Sequence, residues 1–118
     1  MMRPTVLMVD DHAGFRARAR AMLEAQGFDV VADVSDGEAA IDAAARLRPD
    51  VALVDIGLPG IDGFAVARHL RSAGTAARVV LISGREPVDF GGRVEASDAD
   101  AFIAKVDLSG TRLREAIR

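Results

Sequence analysis

At 118 residues, half of them hydrophobic, the chain is long enough to bury the core of one domain without staples, and its composition excludes disorder. It has no Cys, which excludes a disulfide framework and a thiolate metal site and fits a cytoplasmic protein, while a formal net charge of −3 gives no footing for direct nucleic-acid binding. No apolar stretch approaches the ~20 residues of a membrane-spanning helix, and Met1 to Pro4 leads almost directly into a strand, so neither a membrane segment nor a signal peptide is expected.

Thr5 to Val9 (TVLMV) is a continuous apolar run, the pattern of a buried strand, and it ends in Asp10-Asp11. From His12 to Gln26, Phe15, Ala19, Met22 and Leu23 recur on one helical face. Arg16, Arg18 and Arg20 fall largely off that face as solvated charge, and Gly27 closes the helix. Asp29 to Val34 is a more polar strand suited to a sheet edge. Ser35 and Glu38 have the spacing of a capping box, opening a helix with Ala40, Ile41, Ala44 and Leu47 inward that stops before Pro49. Val51 to Val54 predicts a strand buried on both faces; it delivers Asp55 into a loop of Gly57, Pro59, Gly60 and Gly63. A helix follows from Asp62 or Gly63 to about Ala73, then a third buried strand, Arg78 to Ser83. The stretch 84–100 contains Pro87, Gly91 and Gly92 and allows only a short or distorted helix. Ala101 to Ala104 forms the last strand, ending in Lys105, and Ser109 caps a final helix with Leu113 and Ile117 inward.

Five β-α units in succession predict a single domain over residues 1–118. The fold class is α/β: a flavodoxin-like (βα)5 sandwich on a parallel five-stranded sheet of order 2-1-3-4-5. A parallel sheet brings all strand C-termini to one rim, so Asp10, Asp11, Asp55, Ser83 and Lys105 should meet there. Crowded carboxylates without a cation repel and raise one another's pKa. Oxygen ligands with no His or Cys suit a hard ion held beside phosphate chemistry, with the Gly57 carbonyl available as a further ligand. Lys105 brings a point charge and Ser83 a hydroxyl donor, and Asp55 is of the residue type that forms aspartyl phosphates. Each residue alone is more often a cap or a solvated charge; their shared rim is what points to chemistry.

VDDH (Val9 to His12), RPDVALVDIGLPGIDG (Arg48 to Gly63), VVLIS (Val79 to Ser83) and AFIAK (Ala101 to Lys105) together resemble the receiver domain of two-component response regulators, across essentially the whole chain. The resemblance implies a phosphorylation-activated switch rather than an enzyme. Asp55 would be the phosphoacceptor, served by a sensor histidine kinase or a small phosphodonor. Asp11 would bind Mg²⁺ directly, Asp10 through water, with Asp55 and the Gly57 carbonyl completing the protein ligands. Ser83 would be the switch hydroxyl, Phe102 the switch aromatic, and Lys105 the lysine that contacts the phosphoryl group. The face made by the fourth helix, fifth strand and fifth helix would then change and act on an output domain or partner protein, or pair two copies of the chain.

Lys105 is followed by Val106 where the family usually has Pro, so the bond is either trans with a shifted loop or cis at a cost of ~2.5–4 kcal/mol. Two other readings stay open at this point. A metal-dependent phosphatase with an aspartyl nucleophile would carry a second Asp where Gly57 stands. A degenerate receiver would serve only as a docking module. His12 and His69 have no ligand-spaced partners in the sequence; His12 is read as a loop residue bordering the site, His69 as helix surface, and Phe15, Phe28 and Phe64 as core or core edge.

Overall fold

Alternation along the strands decides what each layer of helices covers. The computed structural model describes residues 3–118; Met1 and Met2, and with them the start of the lead into the first strand, lie outside the described residues. Strands β1 (Thr5–Val9), β2 (Asp29–Val34), β3 (Val51–Asp55), β4 (Arg78–Ser83) and β5 (Ala101–Ala104) form one sheet in the order β2-β1-β3-β4-β5, and every pairing is parallel. The more polar β2 is an edge strand, as its composition predicts.

Helices α1 (Ala13–Ala25), α2 (Gly37–Leu47), α3 (Gly63–Ala73) and α4 (Gly110–Ala116) cover the two faces. Leu7 and Val9, Ala52 and Val54, and Val79 and Leu81 pack with α2 and α3. Their neighbours Val6 and Met8, Val51 and Leu53, and Val80 and Ile82 pack with α1 and α4. The period of two thus divides the buried residues of β1, β3 and β4 between two cores, which is why these strands read as unbroken apolar runs.

Three local expectations change, and one left open is settled. The second helix is capped by Asp36, not Ser35: the Asp36 carboxylate accepts the Ala39 N–H at 2.8 Å and the helix opens at Gly37. A Cβ on Gly37 would sit 2.8 Å from Val66 Cγ2, so the first turn of α2 is seated directly against α3. Leu47 is exposed at the end of α2, and Ala43 fills the inner face instead. The fourth β-α unit has no α-helix. Pro87–Phe90 makes one 3-10 turn, in which Glu86 and Asp89 cap each other, and Gly91 ends it at φ +61°. Turns then lead to β5; Phe90, Val94 and Ala99 pin the stretch to the core. Finally, the Lys105–Val106 bond is trans, as are all peptide bonds among the described residues, and the chain enters a 3-10 turn over Lys105–Asp107.

The loop that follows β3 folds back until Gly63 lies on the end of its own strand. Gly63 N–H donates to the Ile56 carbonyl at 3.0 Å, and a Cβ on Gly63 would collide with the Asp55 carbonyl oxygen and come within 2.6 Å of Ile56 Cα. Both obstacles are backbone, so they cannot swing aside. Gly63→Ala should therefore lower stability by about 1–3 kcal/mol, the usual range for overpacking. Urea unfolding checks this, and a variant as stable as the wild type would show that the loop can yield.

Candidate functional site

The carboxyl edge of the sheet gathers its polar residues because apolar strands end there in register. Val9 pairs with Val54, so Asp10 and Asp55 come one step further on neighbouring strands. Asp10 and Asp55 are buried, with Ser83, as the buried polar residues of the chain among those described. The Asp10 backbone N–H extends the ladder to the Val34 carbonyl at 3.0 Å, and the Asp10 carbonyl accepts from Arg16 at 2.5 Å. Arg16 and Arg20 also grip Asp33 on β2, at 3.3 and 2.5 Å. These two arginines, expected as solvated charge, tie α1 to the edge strand β2, and Arg16 ties it also to the end of β1 at Asp10.

Lys105 enters from the end of β5. Its Nζ lies 2.6 Å from Asp10 Oδ2 and 3.5 Å from Asp55 Oδ2, and 4.6 Å from the centre of the Phe15 ring beneath it. The ammonium group is thus ion-paired with the buried Asp10 carboxylate more closely than with Asp55. Asp55 Oδ1 accepts the Gly57 N–H at 3.3 Å. Burial pushes the Asp55 carboxyl above its ordinary pKa; the Lys105 charge pulls it down, the Asp10 charge pushes it up, and the Gly57 N–H pulls it down. Burial and the neighbouring carboxylate outweigh one lysine.

Asp11 is more exposed, and one ligand atom from each of Asp10, Asp11, His12 and Asp55 lies within 4.8 Å of the others. His12, expected to have no ligand-spaced partners, thus acquires them when the turn after β1 folds back, its Nδ1 lying 3.0 Å from Asp10 Oδ1. Ser83 Oγ accepts the Arg85 N–H at 3.0 Å across the turn after β4. An open cleft of about 650 Å³ runs over these groups, with Asp55, Gly57, Ser83 and Lys105 in its wall. Arg18, Arg85 and Phe90 line it too, and nothing in their spacing singled them out. Phe15 is half-buried at the core edge, as expected, and its ring also lies under Lys105 at the cleft. Phe102 is also half-buried; it packs on the opposite face of β5 from Ile103, with the core that Phe90 and Val94 join. His69 is exposed on α3.

A family model described as the response regulator receiver domain matches residues 6–118. The chain belongs to that family. Among relatives, the DNA-binding response regulator MtrA of Mycobacterium tuberculosis is 38% identical over 104 residues, covering 88% of this chain and 45% of that protein. The virulence-factor transcription regulator BvgA of Bordetella pertussis is 34% identical over 100 residues, covering 85% of this chain and 48% of that protein. The receiver domain thus spans about half the length of these relatives. Among solved structures, the signal receiver domain of NarL from Mycobacterium tuberculosis superposes with a TM-score of 0.84 at 31% identity, over 98% of each chain. The response regulator domain of Thermotoga maritima CheB does so with a TM-score of 0.83 at 28% identity, over 98% of this chain and 94% of that one. No helix among the described residues is long and apolar enough to cross a membrane.

The raised Asp55 carboxyl makes a signed prediction for the receiver domain. A buried acid whose folded pKa exceeds its unfolded value adds nothing against folding while protonated and opposes it once ionised, as pH rises through the folded value. Without metal, Asp55→Asn should therefore unfold at a higher temperature than the wild type near pH 7, and the gap should close on acidification toward about pH 4, where carboxylates protonate. Melting curves across that range test it; a wild type that is the more stable protein at neutral pH would show that the Lys105 contact dominates.

Proposed function

We propose that this receiver domain is a phosphorylation-controlled switch in which Asp55 accepts a phosphoryl group from a sensor histidine kinase or a small phosphodonor. The observation that carries the reading is the meeting of Asp55 with a second buried carboxylate, a lysine and a serine hydroxyl at one strand edge, in a cleft open to solvent. An Asp55 carboxylate oxygen attacks phosphorus and the donor's P–N or P–O bond breaks. The leaving group departs with the bonding electron pair and takes a proton from solvent, and an acyl phosphate remains on Asp55.

The donor set fits a hard divalent ion: the oxygens of three carboxylates converge, and the single lysine does not offset the burial of Asp55. Asp11 and Asp55, with the Gly57 carbonyl, would hold Mg²⁺, and Asp10 would support it through water from its buried place beside Lys105. Bound there, Mg²⁺ supplies charge that offsets the phosphoryl oxygens. Lys105 then exchanges its pairing with Asp10 for a phosphoryl oxygen, and the Ser83 hydroxyl, now an acceptor for Arg85, donates to another. Phe102 turns toward the space that Ser83 leaves. The affected surface is the 84–100 stretch together with β5 and α4, which in this chain replaces a face built on a regular fourth α-helix.

That surface would signal to an output region or a partner protein, or to a second copy of the chain, in the cytoplasm. The named roles of MtrA and BvgA make a transcriptional output the natural one, with DNA contacted outside this domain. The role is that of a switch rather than an enzyme, and Gly57, standing where a phosphatase would need a general acid, favours it over the hydrolytic reading.

Incubation with acetyl phosphate and Mg²⁺ should add one phosphoryl group to the wild type by intact mass and none to Asp55→Asn. Labelling that survives in Asp55→Asn would move the acceptor elsewhere, and an unlabelled wild type would favour a docking module. Asp11→Ala should weaken Mg²⁺ binding, by calorimetry, at least as much as loss of a supporting group in a metal site, about 10–100-fold. Unchanged affinity would remove Asp11 from the ligands.

A further inference from the structure

Arg16 reaches past the edge strand to the backbone from which the acid pair hangs. Its side chain is 19% exposed, and its planar guanidinium is engaged on two sides at once. Nε donates to Asp33 Oδ1 on β2 at 3.3 Å, and Nη1 donates to the Asp10 carbonyl at 2.5 Å. That carbonyl is the acyl half of the peptide joining Asp10 to Asp11. The Asp10 N–H still belongs to the sheet, bonded to the Val34 carbonyl, but β1 ends at Val9 and the Asp10 carbonyl is held by Arg16 instead. Asp11 follows on the same peptide plane. Its carboxylate is 35% exposed, and its one ion-pair partner among the described residues is the exposed His12 ring at 3.2 Å. The direction of the Asp11 side chain is therefore set mainly by the backbone plane that Arg16 grips.

We infer that Arg16 is a positioning residue for the metal site: it locks the Asp10–Asp11 peptide so that the Asp11 carboxylate is turned toward Mg²⁺. The inference rests on the metal site of the preceding reading. A fork of donors in one rigid plane suits the task, because a single group ties a carboxylate on β2 to a carbonyl at the end of β1. Partners of this kind orient a ligand without touching the ion. Arg20 supplies the comparison. It holds the same Asp33 carboxylate at 2.5 Å, and its other donors go to the Val30 carbonyl at 3.0 Å and to Glu24 at 3.7 Å, none of them to Asp10. The competing account is that Arg16 is a structural ion pair and nothing more. The two accounts differ in sign. A cation near the acidic rim repels Mg²⁺, so its removal by charge alone would leave binding unchanged or tighten it. Loss of positioning weakens it.

Mg²⁺ titration by calorimetry, run well below the melting transition of each variant, separates them. Arg16→Gln should bind Mg²⁺ about tenfold more weakly than the wild type, the lower end of what a lost supporting group costs a metal site. Arg20→Gln loses the same charge and an ion pair to the same Asp33, yet should bind as the wild type does or slightly more tightly. Arg16→Lys keeps the charge and should still bind more weakly, since an ammonium group on a flexible stem cannot hold both partners in one plane. The lysine variant also decides the matter if Arg16→Gln does not fold. Affinity unchanged or tightened in either folded Arg16 variant would overturn the inference and leave the Mg²⁺ site standing. A loss in Arg20→Gln as large as that in Arg16→Gln would do the same, because the effect would then belong to the ion pair with Asp33. A wild type that binds no Mg²⁺ would overturn both readings.

Discussion

Two buried carboxylates share one ammonium group at the edge of the sheet, and the rest of the site depends on that imbalance. Asp10 and Asp55 are withdrawn from water by the strands that carry them, and Lys105 is the cation close enough to meet both. Burying a charge is costly unless it is paired and hydrogen-bonded. Here the pairing is incomplete: Lys105 lies 2.6 Å from Asp10 but 3.5 Å from Asp55, and the Asp55 carboxyl is pushed up in spite of it. A site left short of positive charge would favour a bound cation, which is the physical basis of the metal and phosphoacceptor roles proposed above. The apolar core below pins the strands and keeps the rim from relaxing.

The two faces of the sheet divide the work. Strand alternation sends Asp10, Asp55 and Lys105 toward the α1 side, where Phe15 lies under the ammonium group. Ser83 and Phe102 have the opposite parity. Leu81 pairs with Phe102 and Ser83 with Ala104, so Phe102 is the diagonal neighbour of Ser83 on the face covered by the 84–100 stretch. On the proposed reading, a charge added at Asp55 that drew Ser83 toward it would act on that stretch through two residues. A second connection runs through the loop after β3: Asp62, which caps α3, also pairs with Arg93 at 3.3 Å; Arg93 lies over the Phe64 ring, and Phe64 meets Phe90 edge-on at 5.9 Å. The stretch is held by a few side chains rather than by a helical hydrogen-bond ladder, so moving it costs fewer backbone bonds.

Most of the fold was legible because its signals are local. β2, β4 and β5 run over the predicted residues, and Ser109 caps the last helix as read, accepting the Arg112 N–H at 3.1 Å. The misplaced features were those set by distant neighbours. Ser35 and Asp36 are equally good caps by type, and the seating of Gly37 against Val66 chooses between them. Leu47 fits the helical face by period, but the helix ends before that side chain meets the core. Pro87, Gly91 and Gly92 announced an irregular segment without saying that no α-helix would form.

By itself the sequence determined the alternation of strands and helices, the parallel sheet, and the delivery of Asp10, Asp55, Ser83 and Lys105 to one rim. These follow from hydrophobic period and chain direction, which short stretches carry alone. Only the tertiary structure decided which of those groups touch. It set Lys105 against Asp10 more closely than against Asp55, put Phe15 beneath it, brought Arg18 and Arg85 to the cleft, and laid the His12 imidazole across two carboxylates. Side chains from different strands and loops acquire distances to one another only when the sheet closes. At this site those distances, more than the residue types, set where the charge is balanced.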